Sequence, residues 1–532
     1  MGYSICDKNN IEHLGKKLFI YYLSIYMKYG SIAAGNKTTV NAAMDILKDG
    51  GNAFDAAVCA VFTSMTSEYT LTGACGGGVM LAYPKESEPI VFDFFVHTPK
   101  TQSIKNLDFF RIAVDFGPAS QFFHIGKGSV AVPGNTIGLL HIHSRLGSLP
   151  LSRILEPAIR TAKYGAIINN AHEYLFKILD PILSHTNTGE ILFKPNGKTL
   201  KAGEKFNNPD FGNFLEQLIV EGHNFLYNGD FAEKIDDFMG NEGLLTKWDL
   251  SNYKVIERTP LKTNFNGKTI ITNPTPSPGG TLIAFALKII SQKFPRKEID
   301  NRLLAIVMRS AQIARNEIIS TKNKTNSLAE MLRPSFIKRY SDIFDSERSL
   351  KPNNKKLSSG STTHVSIIDS QGNAVSATTT NGEGCGHILP GTGIMMNNML
   401  GEEDLNPEGF HNWEKTKRME TMMSPTIVIG ELGPELVLGS GGSNRIRSAI
   451  TQVILNKLTK NMNLEEAIQA PRIHLEENII HCESGIDTEI LTFPWSKIQH
   501  WNEKNLFFGG VNAVTPTNAV GDTRRSGYGL VD

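Results

Sequence analysis

The sequence predicts a layered α/β protein, and three observations carry that prediction. Segments with helical spacing and segments with strand alternation follow one another on both sides of a polar stretch, residues 351–360 (KPNNKKLSSG). Hydrophobic residues make up 40% of the chain and charged residues 20%, the balance of a folded globular protein and not of a disordered or collagen-like one. Glycine, at 48 of 532 residues, supplies frequent tight turns and close backbone approaches. Strands and helices interleaved in this way bury their apolar faces best as sheets covered by helices, not as separate all-α and all-β domains.

In chain order, residues 1–29 read as an appendage. Its ten-residue apolar stretch LFIYYLSIYM follows Lys16 and Lys17 and is too short to span a bilayer, which needs about 20 residues. No small-residue cleavage site follows it cleanly. The expectation is a cytoplasmic protein with no stable membrane span, or a periplasmic or secreted one if residues 16–29 act as a signal. Patterning begins at Gly30. Val40, Met44 and Leu47 have helical spacing, stopped by Gly50-Gly51. Asn52 then fits an N-cap with Asp55 in the first turn, and Phe54, Val58, Val61, Phe62 and Met65 form the buried stripe of a second helix. The run TGACGGG (72–78) leads into the strand-like VMLAY, with PIVFDFF as its neighbour. It lacks a Walker ending and a GxGxxG pattern, so close backbone packing is its expected use. Helices are predicted around 150–164 and over 302–320, and residues 351–360 form a linker with little to bury.

Composition narrows function. Lys and Arg number 54 against 53 Asp and Glu, which argues against nucleic-acid binding through a global basic field. Five cysteines without a CxxC pair predict reduced thiols and no structural zinc. His141 and His143 belong to no recognised metal motif, and His364 reads as a packed or hydrogen-bonded histidine, so no metal is assigned.

Chemistry concentrates after the linker. TTHVSIID (362–369), the turn SQGN and AVSATTT (374–380) predict a β-hairpin. With the turn centred near Gln371, Thr380 lies across from Thr362 to within a register step. An ordinary Thr-rich hairpin is the plainer reading of this pattern taken alone. Farther on, strand-like PTIVIG and ELVLG precede Ser440-Gly-Gly-Ser-Asn444 and a helix with Ile446, Ile450, Val453, Ile454 and Leu458 on one face. A glycine-rich turn at a helix N-terminus offers N–H groups that can hold a phosphate or an acyl-transfer oxyanion. The missing Walker lysine disfavours a nucleotide, and a plain strand-to-helix turn stays open.

Taken together, these blocks resemble the γ-glutamyltranspeptidases, members of the N-terminal-nucleophile hydrolase superfamily, from about Gly30 to the end of the chain. The likeness includes GNKTTVNAAMDILKDGGNAFDAAV, EYTLTGACGGGVMLAY, SVAVPGNTIGLLHIHSRLG, LEPAIRTAKYG, Thr362-Thr-His, GTGIMMNNML, MMSPTIVI, GSGGSNR and GDTRRSGYG. It implies a four-layer αββα sandwich, one domain built from two fragments, 30–361 and 362–532, that stay associated. The precursor is expected to cleave itself between Ser361 and Thr362. The freed α-amine, with an ordinary pKa near 8, would then serve as base for the Thr362 hydroxyl. The implied activity is acyl transfer from a γ-glutamyl amide such as glutathione to water or an amine, through an acyl-Thr intermediate and without a cofactor.

By position, the resemblance makes Thr380 the residue that hydrogen-bonds the nucleophile. Gly441 and Gly442 become the oxyanion-hole pair, with Ser443 as a substitute because the loop reads GSGGSN where GSPGGS is commoner. Substrate contacts are expected from Asn381, Asn398 and an acidic residue among Glu402, Glu403 and Asp404. Met399 stands in place of a family glutamine, and Thr421-Met422 in place of a serine pair. Phe95 occupies the position of an arginine that clamps the substrate carboxylate, a contact phenylalanine cannot make. Arg418 and Arg445 are candidates to replace it. The segment between Asn398 and Ser424 is short, so the covering lid of well-known members is expected to be missing. Two alternatives follow: the same chemistry on another acyl amide or peptide, and an uncleaved, non-catalytic homologue. Intact Thr362, Thr363, Thr380 and the GSGG loop speak against the second.

Overall fold

The structure, a computed structural model, describes residues 28–115, 120–295, 298–320, 328–343 and 361–532. The predicted linker at 351–360 and nearly all of the 1–29 appendage lie outside the described residues. The strands of two main sheets are, in chain order, β1 (Gly30–Ala34), β2 (Gly77–Tyr83), β3 (Ile90–Phe94), β4 (Ile256–Arg258), β5 (Leu261–Phe265), β6 (Lys268–Thr272), β7 (Thr363–Asp369), β8 (Ala374–Thr380), β9 (Thr426–Ile429), β10 (Pro434–Gly441), β11 (Gly510–Thr515), β12 (Asn518–Val520) and β13 (Tyr528–Val531). The first sheet has the order β13-β1-β7-β8-β2-β3-β4, the second β12-β11-β10-β9-β6-β5.

Period-two alternation explains the layering. In the first sheet Ile32, Ala34, Met80, Ala82, Val365, Ile367, Val375 and Ala377 pack against helices Lys37–Lys48, Ala53–Ser67, Asn135–Leu146 and Leu151–Tyr164. Ala33, Val79, Leu81 and Val91 join the other core, shared with the second sheet and with helices Pro278–Lys293, Asn301–Ser320 and Arg445–Leu458. The result is helix, sheet, sheet, helix: the expected αββα sandwich. Among the described residues no helix is long and apolar enough to cross a membrane.

Local signals place the elements. Asn36 caps the first helix, and Asn52 with Asp55 closes a capping box on the second. The β7–β8 hairpin pairs Thr363 with Thr379 and Ile368 with Ala374. Its turn is tied by Asp369, whose carboxylate accepts the N–H groups of Gln371 and Asn373 on one oxygen and that of Ala53 on the other. A strand register held this way at the turn is carried to the far end of the hairpin, where the chemistry lies. Close packing of the glycine run is also observed: a Cβ on Gly76 would sit 2.0 Å from the Thr380 carbonyl oxygen.

Candidate active site

The hairpin register carries Thr362 opposite Thr380, as predicted. Side chains alternate around that point. Thr363 faces the helical layer and donates its hydroxyl to the buried carboxylate of Glu68. His364 faces the second sheet, where its ring bonds Thr378 at 2.8 Å and Ser366 at 2.9 Å beneath Gly439. Burial pushes its pKa down to about 3, so it is a neutral spacer between the sheets.

Ser361 and Thr362 are both buried. Four groups hold the main chain of these two residues, one of them on the carbonyl of the peptide that joins them. Thr380 donates its hydroxyl to the Ser361 carbonyl and accepts the Gly382 N–H at 3.0 Å. The Ser361 N–H donates to Oε1 of Glu383 at 3.1 Å. Arg525 donates to the Thr362 carbonyl at 3.3 Å. Gly441 completes the cradle by absence of a side chain, since a Cβ there would lie 2.1 Å from the Thr362 carbonyl oxygen.

Past Gly441, which ends β10 opposite Gly510, the loop turns sharply. Gly442 has φ +117° and Ser443 φ +49°, in the left-handed region. The N–H groups of Gly442 and Ser443 donate to no acceptor among the described residues and open the helix Arg445–Leu458. The Ser443 hydroxyl is committed elsewhere, donating to Asp404.

A buried acidic group flanks the scissile peptide. Asn398 accepts the Glu383 N–H at 2.9 Å, and Asn406 fixes the acidic loop by donating to the carbonyls of Met399 and Glu402. Glu383 Oε2, Glu402 Oε1, Asp404 Oδ1 and Asn398 Nδ2 are all buried without a partner. Burial, then the charge of Asp404, pushes the Glu383 carboxyl up to about 8. Burial, then Glu383 and Asp404, raises Glu402 well above the usual carboxylate range. Beside these acids lies Arg445, 1% exposed, whose Nε donates to the Phe507 carbonyl while both Nη atoms are unpartnered. Burial holds its pKa below the usual value, opposed by Glu476, Asp404 and Glu383. Unpaired buried polar atoms are costly in a folded protein, which makes these groups the candidates for contact with a polar ligand.

Several expected residues stand elsewhere. Asn381 donates to the Met395 carbonyl inside a small cavity lined by Met65, Tyr69, Gly73 and Phe211, away from the groups around the scissile bond. Strand alternation turns it there, because Thr380 already faces the second sheet. Glu403 is exposed while Glu402 is buried, so the loop commits only one of that pair inward. Arg418 is not a free clamp: it binds the Phe95 carbonyl, Tyr253, the Lys254 carbonyl and Asp93. Phe95 itself is buried in the apolar core with Met399, Met422 and Met423. The short 402–418 segment folds back on residues 98–102, where Gln102 and Thr98 bond the carbonyls of Trp413 and Glu414. Glu68, Glu383 and Arg525 went unassigned in the sequence. Arg525 lay within the terminal GDTRRSGYG block, and Glu383 three residues beyond Thr380, but neither has a local pattern that announces a role.

Comparison with known proteins places this geometry. The sequence profile described as Gamma-glutamyltranspeptidase matches residues 39–531. The glutathione hydrolase proenzyme of Pseudomonas aeruginosa is 31% identical over 480 residues, covering 84% of this chain and 82% of that protein. The acylase ACY 1 proenzyme of Pseudomonas sp. strain SE83 is 28% identical, covering 91% of this chain and 89% of that protein. In fold, the crystal structure of cephalosporin acylase from Bacillus halodurans superimposes with a TM-score of 0.81 at 22% identity, over 95% of this chain and 96% of that one. The chain belongs to the gamma-glutamyltranspeptidase family of N-terminal-nucleophile hydrolases.

Proposed function

We propose that this enzyme is made as a precursor, cleaves itself before Thr362, and then transfers the acyl group of a γ-glutamyl amide such as glutathione to water or an amine. One observation carries the reading: the Ser361–Thr362 peptide lies buried with Thr380 donating to its carbonyl oxygen. A hydrogen bond at that oxygen strengthens as negative charge develops there during attack. In the processed enzyme the Thr362 α-amine takes the hydroxyl proton and the hydroxyl attacks the acyl carbon. The unpaired N–H groups of Gly442 and Ser443 receive the oxyanion, and the leaving amine departs with a proton. Water or a second amine then releases the acyl group from Thr362. The two fragments remain associated throughout.

The unpartnered atoms support a donor with an amino-acid head group. Glu402 and Asp404 offer acceptors for an ammonium, and Arg445 offers two unpaired Nη groups for a carboxylate, the role that Phe95 cannot fill. A second reading keeps the chemistry and changes the donor to another acyl amide. It is favoured by the apolar surroundings of Phe95, and it agrees with the acylase relative. Assay of the purified protein on a γ-glutamyl anilide and a panel of other acyl anilides separates them. Release from the γ-glutamyl compound, lost in Arg445→Ala, is the expected result. Release only from another acyl anilide would transfer the enzyme to the second reading.

A further inference from the structure

Glu383 belongs to no element of the turnover chemistry above, yet it touches the residue on the far side of the bond to be cut. It sits four residues into the segment Thr380-Asn-Gly-Glu383, where Gly382 takes φ +62° so that the chain can pass Asn398 and Glu402; a Cβ on Gly382 would meet their side-chain oxygens at 2.1 and 2.4 Å. The main-chain N–H of Glu383 is fixed by Asn398, and its Oε1 accepts the Ser361 N–H at 3.1 Å. With Thr380 donating to the Ser361 carbonyl, both main-chain polar groups of Ser361 are gripped by two side chains from one turn, and the Ser361 hydroxyl also bonds Glu383.

We propose that Glu383 is a positioning residue for self-cleavage: its carboxyl oxygen holds the Ser361 N–H and so anchors the residue whose carbonyl Thr362 attacks, on the side away from the bond that breaks. The inference rests on the self-processing reading. In the step itself, the Thr362 hydroxyl oxygen bonds to the Ser361 carbonyl carbon and the carbon–nitrogen bond of the Ser361–Thr362 peptide breaks. The hydroxyl loses its proton and the departing nitrogen gains one, leaving an ester and a free α-amine. Water then divides the ester into the Ser361 carboxylate and the Thr362 hydroxyl. Glu383 gives up no atom or electron in this sequence. It orients, much as a clamp on substrate converts a loose encounter into a near-attack geometry.

The charge state matters as well. Glu402 and Asp404 face Glu383 from the acidic loop, and Arg445 faces it from the helix Arg445–Leu458. Burial and the charge of Asp404 raise the Glu383 carboxyl, to about 8, and so favour its neutral form near neutral pH. Its ionisation would put a negative charge beside the carbonyl that must itself become an oxyanion, and would slow cleavage.

Time courses of cleavage, followed by denaturing electrophoresis on freshly purified precursor, test this with Glu383→Ala and Glu383→Gln. Glutamine keeps a neutral acceptor, so E383Q should cleave within about threefold of wild type, and E383A at least tenfold more slowly. Cleavage of E383A at the wild-type rate, or E383Q as slow as E383A, would overturn the proposal. Glu383→Met covers the case in which E383A folds poorly: it keeps the side-chain volume without an oxygen acceptor, so it should cleave at least tenfold more slowly than E383Q, and equal rates would overturn the proposal too. A wild-type chain that never cleaves refutes the self-processing reading itself, an outcome distinct from these.

Discussion

At the residue scale each group near Thr362 has a separable role. Thr362→Ala removes the attacking hydroxyl and should leave a single uncut chain with unchanged far-ultraviolet circular dichroism. Gly441→Ala places a methyl against the Thr362 carbonyl, which sits 2.1 Å from the added carbon. Overpacking of this kind costs about 1–3 kcal/mol, so the variant should melt at a lower temperature and cleave far more slowly. Protons report on the same site. Glu383, held up to about 8, binds a proton in the folded chain where the unfolded chain does not, so stability falls as pH rises toward 8. The buried histidines act in the opposite direction but only below their ordinary value: His172 and His364, lowered to about 4 and about 3, add stability as pH rises to 6.5 and nothing beyond. Between pH 6.5 and 8 the raised carboxyls Glu383, Glu402 and Glu68 all act in this direction. Denaturant unfolding of uncleaved Thr362→Ala protein should therefore show stability falling across that window, and falling less steeply in Thr362→Ala/Glu383→Gln. A flat profile in the single variant would mean that Glu383 is ionised in the fold.

At the element scale, what was legible in the sequence was what is decided by neighbours in the chain. Asn52 and Asp55 announced a helix start because the capping box spans three residues. The β7–β8 register was readable because the turn is short and Asp369 ties it, so Thr380 could be set against Thr362 by counting. Asn381 was assigned to the substrate only by the family resemblance, whereas strand alternation turns it toward the Met395 carbonyl. Arg418 failed as a clamp because its partners, Asp93 and Tyr253, come from distant segments. Asn52→Ala tests the local part of the argument. Losing the cap should cost about 1 kcal/mol of stability while self-cleavage proceeds, because the cap lies at the far end of the hairpin from Thr362.

At the scale of the whole molecule, the site is assembled from segments that only the fold brings together. Arg525 reaches Thr362 across 163 residues, and Glu68 reaches Thr363 across 295, separations at which no spacing pattern survives. The same topology explains why cutting the chain need not take it apart. β7 and β8, which follow the cut, lie between β1 and β2, which precede it, and β9 continues the sheet begun by β5 and β6. Two cores, one on each side of the first sheet, draw residues from both fragments. The fragments should thus co-elute on size exclusion in native buffer and separate only in denaturant. The most direct measurement is intact mass spectrometry of enzyme that is turning over substrate. It should show two polypeptides, the smaller beginning at Thr362, and no uncut chain. Active protein containing only polypeptide uncut between Ser361 and Thr362 would contradict self-processing at its root.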